Sequence, residues 1–342
     1  MNNETRNPVW LKETVSAMLV ILIGSIIMLM SPATILLAPV LMPVFLLFVL
    51  AAQGWKAFLM TLAAGLLPFI VIGMGLSSVV LLLPGLLITA ALYLTLKYKP
   101  DFPIAFGAVS LAALLGMILT GYISVYVLGG SDIMAFTGET AETMRSTILG
   151  VIEGRGYELP PSQVLLIREV ADSITPQFIQ DLLPGTAIAS SFLTGYLVLR
   201  LARRFLKRFE KFPEIKVPYI GRIRISPFLL LAFLGMAGVG MLLAERDQRL
   251  GSLLFSTGSM VISFLGAVGA MSLIWNFTEQ NLRMRHPFNK GLITLTTVYL
   301  FSGSWMVALT IADSILDLRN TTGRSPYRWL RYKLFESGGK ES

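Results

Sequence analysis

The chain has 342 residues, 54% apolar and only 14% charged, with 28 Lys and Arg against 20 Asp and Glu. Soluble domains carry roughly 25% charged residues, so a water-soluble globular protein is all but excluded, and a mean hydropathy of +0.71 points to a polytopic membrane protein. The sequence has no cysteine and one histidine, His286, which excludes disulfides, thiolate nucleophiles, cysteine–zinc sites and any site built on two imidazoles.

Spans are read from stretches free of Asp, Glu, Lys and Arg. A bilayer core of about 30 Å takes roughly 20 helical residues, and charges near its centre are costly. The charge-free runs are 14–55, 57–96, 102–131, 182–199, 225–244, 250–278 and 291–312. The first two are long enough for two spans each. Breakers sit where hairpins are required, at Ser31-Pro32 and at Gly73-Met74-Gly75 with Ser77-Ser78. The pattern predicts nine spans, near 15–30, 34–52, 57–73, 76–96, 103–128, 182–202, 226–244, 250–276 and 291–312. The expected fold is thus an all-α polytopic transmembrane helix bundle, with eight spans as the alternative count. A strand barrel is excluded, because the runs lack two-residue alternation.

Local signals agree with helices. Val15–Met30 lacks a small-x-small cleavage site and reads as a retained span. Thr175-Pro176 and Ser226-Pro227 pair a hydroxyl cap with proline in the first turn, a good helix start. Pro184-Gly185 falls where a surface helix would bend into the membrane. Pro39, Pro43, Pro68 and Pro84 lie inside spans, and each frees a backbone carbonyl that a neighbour must satisfy. They are either ordinary kinks or broken helices lining a cavity.

The charges divide the chain. Segment 131–181 carries three Arg against eight acidic residues, a net of −5, and reads as short amphipathic helices outside the membrane. Met144, Ile148, Val151 and Ile152 repeat at helical spacing, as do Leu166, Val170 and Ile174 after a Ser162 cap. This insert either caps the bundle or forms a lid or docking surface. It separates a five-span half, 1–130, from a four-span half, 182–318, with the tail 319–342 following. Segment 200–224 carries nine Lys and Arg against Glu210 and Glu214, a net of +7. Cytoplasmic loops are basic, so the insert is expected outside and the loop inside, with a cytoplasmic N-terminus in a bacterial inner membrane. One contradiction follows. Nine spans put the tail outside, yet it holds Arg319, Arg324, Arg328, Arg331, Lys333 and Lys340. Either one run does not cross, or the tail breaks the rule.

The basic loop and tail are expected to meet anionic lipid headgroups. Nucleic acid is not the expected partner, because aromatic stacking residues are sparse there. Two constellations stand out within the spans. Ser252, Ser256, Ser259, Ser263, Gly266 and Ala270 share one helix face and predict a tight helix-packing seam, with Gly235, Gly238 and Gly240 offered as its partner. Asp313 and Asp317 lie four apart at the end of the last span, where the helix dipole disfavours anions. Compensation is expected from Arg319, or from Arg246 or Arg249. Asn276 lies where an amide wants a partner. These residues make either a structural ion-pair lock or a coupling or ligand site. No catalytic, cofactor or metal site is expected, since no second carboxylate cluster and no nucleophile-elbow or two-histidine motif is present. No span core holds a carboxylate, which argues against a carrier with its own ion relay.

Three segments carry a resemblance: Leu183-Pro184-Gly185, Leu201-Ala202-Arg203-Arg204 and Ala312-Asp313-Ser314-Ile315-Leu316-Asp317-Leu318-Arg319. With them the chain, over about 12–320, resembles the YybS-like family of bacterial membrane proteins. That family is distantly similar to the substrate-binding subunits of energy-coupling-factor transporters. The resemblance implies a small-solute-binding or uptake subunit working with separate ATPase and scaffold proteins. The first span departs from that pattern, because Ala17 and Gly24 do not make the Ala-x-x-x-Ala docking seam of such subunits. A membrane scaffold that recruits partners through the loop, tail or insert is the alternative.

Overall fold

The computed structural model describes residues 15–23, 25–26, 38–72, 75–130, 132–153, 160–207, 217–280, 286–300 and 303–319. Part of the first expected span, the breakers Ser31-Pro32 and Gly73-Met74, residues 208–216 of the basic loop, Arg283 with Arg285, and the tail from 320 lie outside them.

Every regular element among the described residues is helical. Helix α1 covers 15–23. There follow α2 (Ala38–Val71), α3 (Gly75–Tyr98) and α4 (Phe102–Tyr122), the last continued by a π-helical turn, Ile123–Leu128. The insert contributes α5 (Ile133–Glu153) and α6 (Pro161–Ser173). Then come α7 (Pro176–Leu206), a short 3₁₀ turn at Ile220–Arg222, α8 (Pro227–Leu243), α9 (Gln248–Gln280), α10 (Pro287–Leu300) and α11 (Ser304–Leu316).

The all-helical membrane class holds, while the expected spans are redistributed. Among the described residues, α2, Phe102–Leu128, α7 and Gln248–Glu279 are long and apolar enough to cross a membrane. The pair α10 and α11 counts as a fifth only if its 117° bend is taken within one span, and Leu82–Tyr98 and α8 are shorter apolar helices. Two expected spans, 34–52 and 57–73, are the arms of α2, which breaks at Gly54 (φ 84°, ψ −177°). That left-handed φ is one only glycine adopts cheaply.

The residues form two compact units. One comprises 1–142 with 190–217, the other 143–189 with 218–342, so α7 begins in the second and ends in the first.

In the first unit, Leu46 and Val49 of one α2 arm join Ala57 and Phe58 of the other in a cluster with Ala17 of α1. A second cluster combines Leu47, Ile88, Leu92, Val109, Val198 and Leu199 from α2, α3, α4 and α7. Here the price of an intramembrane proline is visible. Pro84 has no N–H for the Val80 carbonyl, and Thr120 of α4 donates its hydroxyl to that oxygen at 3.2 Å. Gly116, one turn earlier on α4, permits the approach, since a Cβ there would lie 2.6 Å from the Pro84 Cα.

In the second unit, α8 starts at Pro227 behind Ser226, as the Ser-Pro signal predicts. Thr175 caps α7 by accepting from the Phe178 amide at 3.1 Å. The α7 helix runs unbroken through Pro184. The expected Ser162 cap is displaced, because α6 already starts at Pro161. In the insert, Arg145 of α5 pairs with Asp172 of α6, while Leu165, Leu166 and Val170 are exposed.

Helices α8 and α9 are antiparallel and pack through glycines. A Cβ on Gly240 would meet the Phe255 amide nitrogen and the Gly251 carbonyl, and one on Gly258 would lie 2.7 Å from the Ala237 nitrogen. The seam predicted from small residues is therefore divided among neighbours. Ser252 and Ser256 both bond to Asp181 of α7, through its carboxylate and its carbonyl. Gly266 packs on Val307 of α11. Ala270 is buried, Ser259 is half-buried and Ser263 exposed. Of the three candidate glycines on α8, only Gly240 is in close contact, for Gly235 and Gly238 have open space around them. Residues four and three apart share a face only approximately, so a six-member stripe drifts from α7 to α11 over five turns.

Candidate functional site

The Asp313–Arg319 segment closes α11. Gly303 (φ 94°) turns the chain into this helix, and Asp317 (φ 47°, ψ 57°) ends it in the left-handed cap conformation. The helix lies on α9 where small residues allow it: Gly269 faces the Thr310 side chain, and Thr310 donates to the Gly266 carbonyl at 2.8 Å.

Arg319 is the centre of the site. Its Nη2 meets Asp313 Oδ2 at 2.7 Å, with both side chains under 4% exposed (2% and 3%). Its Nη1 donates to the carbonyls of Gly221 (3.0 Å) and Ile223 (2.8 Å) and to the Ser272 hydroxyl. A longer bond reaches the Gly269 carbonyl, at 3.3 Å. Ser272 in turn donates to the carbonyls of Ile220 and Ile223. One guanidinium thus ties together the turn before α8, the last third of α9 and the end of α11. Its planar five-donor fork suits that role, as a lysine ammonium would not.

Asp317 is paired with Arg224 at 3.6 Å. Arg224 also donates to the carbonyls of Asp313 (3.4 Å) and Ser314 (3.3 Å). These are last-turn carbonyls at the negative end of the dipole, and that of Asp313 also accepts the Asp317 amide at 2.9 Å. The two penalties noted for the aspartates are therefore offset by two arginines, and the four charges sum to zero. Asp313 Oδ1 and Arg319 Nε are nonetheless buried without a hydrogen-bond partner.

Asp313, Asp317 and Arg319 are thus brought together. Asn276 adjoins them through its main chain, which packs on Gly221. Arg246 and Arg249 do not take part: they follow α8, about 25 Å along that helix from the cluster. Arg224 takes their place. Sequence reasoning missed Arg224, Ser272 and the Gly221 turn. Arg224 carries one legible signal, as the last charge before the run 225–244.

Beside the cluster lies a cavity of about 210 Å³, walled by Leu230, Leu231 and Leu234 of α8, Ile262 of α9, and Val307, Ile311, Ser314 and Ile315 of α11. Ser314 donates to the Ile225 carbonyl at 3.0 Å, linking this wall to the turn that Arg319 grips.

Apolar helices with outward-facing side chains such as Phe228 and Leu242 (84% and 75% exposed) define a polytopic helical membrane protein. The chain belongs to the family described as predicted membrane protein (DUF2232), whose model matches residues 17–314. No curated protein and no solved structure matches it.

Proposed function

We propose that this DUF2232 protein is a transporter-like subunit of the bacterial cytoplasmic membrane. In this reading it binds a small solute, has no ATPase or enzymatic activity of its own, and works with separate energising subunits. The observation that carries it is the cavity between α8, α9 and α11. Its volume, about 210 Å³, has room for a small apolar molecule in a groove open on one side, where Leu231, Leu234 and Ile315 are exposed. The walls are apolar apart from Ser314, so the fitting solute is apolar or amphiphilic. The YybS-like resemblance of the closing Asp-x-x-x-Asp-x-Arg segment, and through it that of energy-coupling-factor subunits, supports the same reading. The N-terminus is placed in the cytoplasm, and the basic loop and tail on anionic lipid.

A thermal-shift screen of apolar and amphiphilic metabolites on the purified protein tests it. A ligand at 100 times its Kd stabilises by about 2.7 kcal/mol. One compound class should raise Tm in the wild type and not in Ile311→Phe, which fills the cavity. A screen without a shift, or a shift that survives filling, refutes the proposal. The exposed Leu165, Leu166 and Val170 on α6 favour a second reading, a scaffold that recruits a protein partner through the insert. Loss of a co-purifying protein on replacing 161–173 supports that reading.

A further inference from the structure

We infer that residues 287–319 are not a span but a re-entrant hairpin, which enters the membrane and leaves it on the same face. This places the basic tail on the face that carries Arg224 and Lys290.

Helix α9 provides the ruler. Its first turns hold Asp181 through Ser252 and Ser256 and lie beside the end of α8 at Gly240. Its last turns face the turn before α8, where Ser272 bonds to Ile220 and Ile223 and Gly221 packs on Trp275. The two ends of α9 are thus the two ends of the α8–α9 pair.

The C-terminal segment starts at the second of these ends. Lys290, in the first turn of α10, pairs with Glu279 at 3.4 Å. The segment also finishes there, with Arg319 bonded to Gly269 and Ser272 and Arg224 bonded to Asp317. Between the two points, α10 and α11 are bent by 117°. Their 14 and 13 residues make rods of about 21 and 20 Å, each short of a 30 Å core. Laid straight, they would carry Arg319 about 40 Å from Lys290, toward Ser252. The contacts of α11 run the other way along α9, from Val307 at Gly266 to Arg319 at Ser272.

Charge supports the same topology independently. As a ninth span, 291–312 would put the six basic residues of the tail, with only Glu336 and Glu341 among them, on the side of the acidic insert. A hairpin returns them to the side of Arg222, Arg224, Arg283, Arg285 and Lys290. The basic tail then no longer breaks the positive-inside rule. The buried Asp313–Arg319 pair is the latch that fixes the hairpin's foot.

Single cysteines in this cysteine-free chain test the inference. Asn289→Cys, Ser337→Cys and Gln248→Cys are treated with an impermeant maleimide in intact cells and in inverted vesicles, with permeabilised membranes as the control. Asn289→Cys and Ser337→Cys should react from one side, and Gln248→Cys from the other. A fluorescent-protein or phosphatase fusion after Ser342 reports the tail's side without a cysteine, and should agree with Asn289. Reaction of Ser337→Cys on the side of Gln248→Cys, or from both sides, overturns the inference.

Discussion

Replacing Arg319 by leucine should be among the most damaging single changes in the second unit. The guanidinium meets Asp313 at 2.7 Å and bonds to Gly221, Ile223, Gly269 and Ser272. Removing one partner of a buried ion pair leaves the other charge uncompensated, at a cost of about 3–5 kcal/mol. The orphaned carbonyls add a smaller term, because hydrogen bonds inside membrane proteins average about 0.6 kcal/mol. Part of both losses overlaps, so about 4–5 kcal/mol is expected for Arg319→Leu. Asp313→Leu should cost less, about 3 kcal/mol, since Arg319 keeps its other acceptors. The double variant should cost less than the sum of the two by about 1.5–3 kcal/mol, the coupling of residues in one network. Denaturant unfolding of the detergent-solubilised protein measures all three. Wild-type stability in either single variant, or strict additivity, refutes the reasoning.

Three further outcomes follow from packing. Gly240→Ala should destabilise by about 1–3 kcal/mol, because its Cβ meets main-chain atoms of Phe255 and Gly251 that cannot move aside. Gly235→Ala and Gly238→Ala, with open space around them, should be neutral or stabilising by up to about 1 kcal/mol; comparable melting shifts at all three positions would contradict the α8–α9 contact. Thr120→Val should cost about 1 kcal/mol by leaving the Val80 carbonyl unpaired beside Pro84, seen as a lower Tm with unchanged expression. Arg145→Ala should leave Tm within error, because both partners of its ion pair are well exposed (42% and 66%) and such pairs contribute about 0–1 kcal/mol.

The sequence was legible where a local rule governs. Ser226-Pro227 and Thr175-Pro176 start helices because a cap and a fixed φ act within one turn. The position of Asp313 and Asp317 at the end of an apolar run demanded compensating cations, and Arg319, six residues after Asp313, supplies one of them. What could not be read depends on which helices are neighbours. Arg224 reaches Asp313 from 89 residues away, and Ser272 lies off the small-residue stripe, so periodicity points to neither. The gap between the expected spans 34–52 and 57–73 contains Gly54, but charge spacing cannot separate a hairpin from a bend inside α2. The last apolar run, of 22 residues, is long enough to cross, and length alone does not reveal the turn at Gly303.

The account rests most directly on the foot of α11 being held against the turn before α8. Paired cysteines at Ile225 and Ser314, joined in native membranes by a short bifunctional maleimide and assayed by cleavage between them, test this in one step. The hydrogen bond from Ser314 to Ile225 at 3.0 Å predicts efficient cross-linking of this pair and none between Glu245→Cys and Ser314→Cys. Cross-linking at 245 with none at 225 would place α11 at the opposite end of α8 and contradict both the latch and the hairpin.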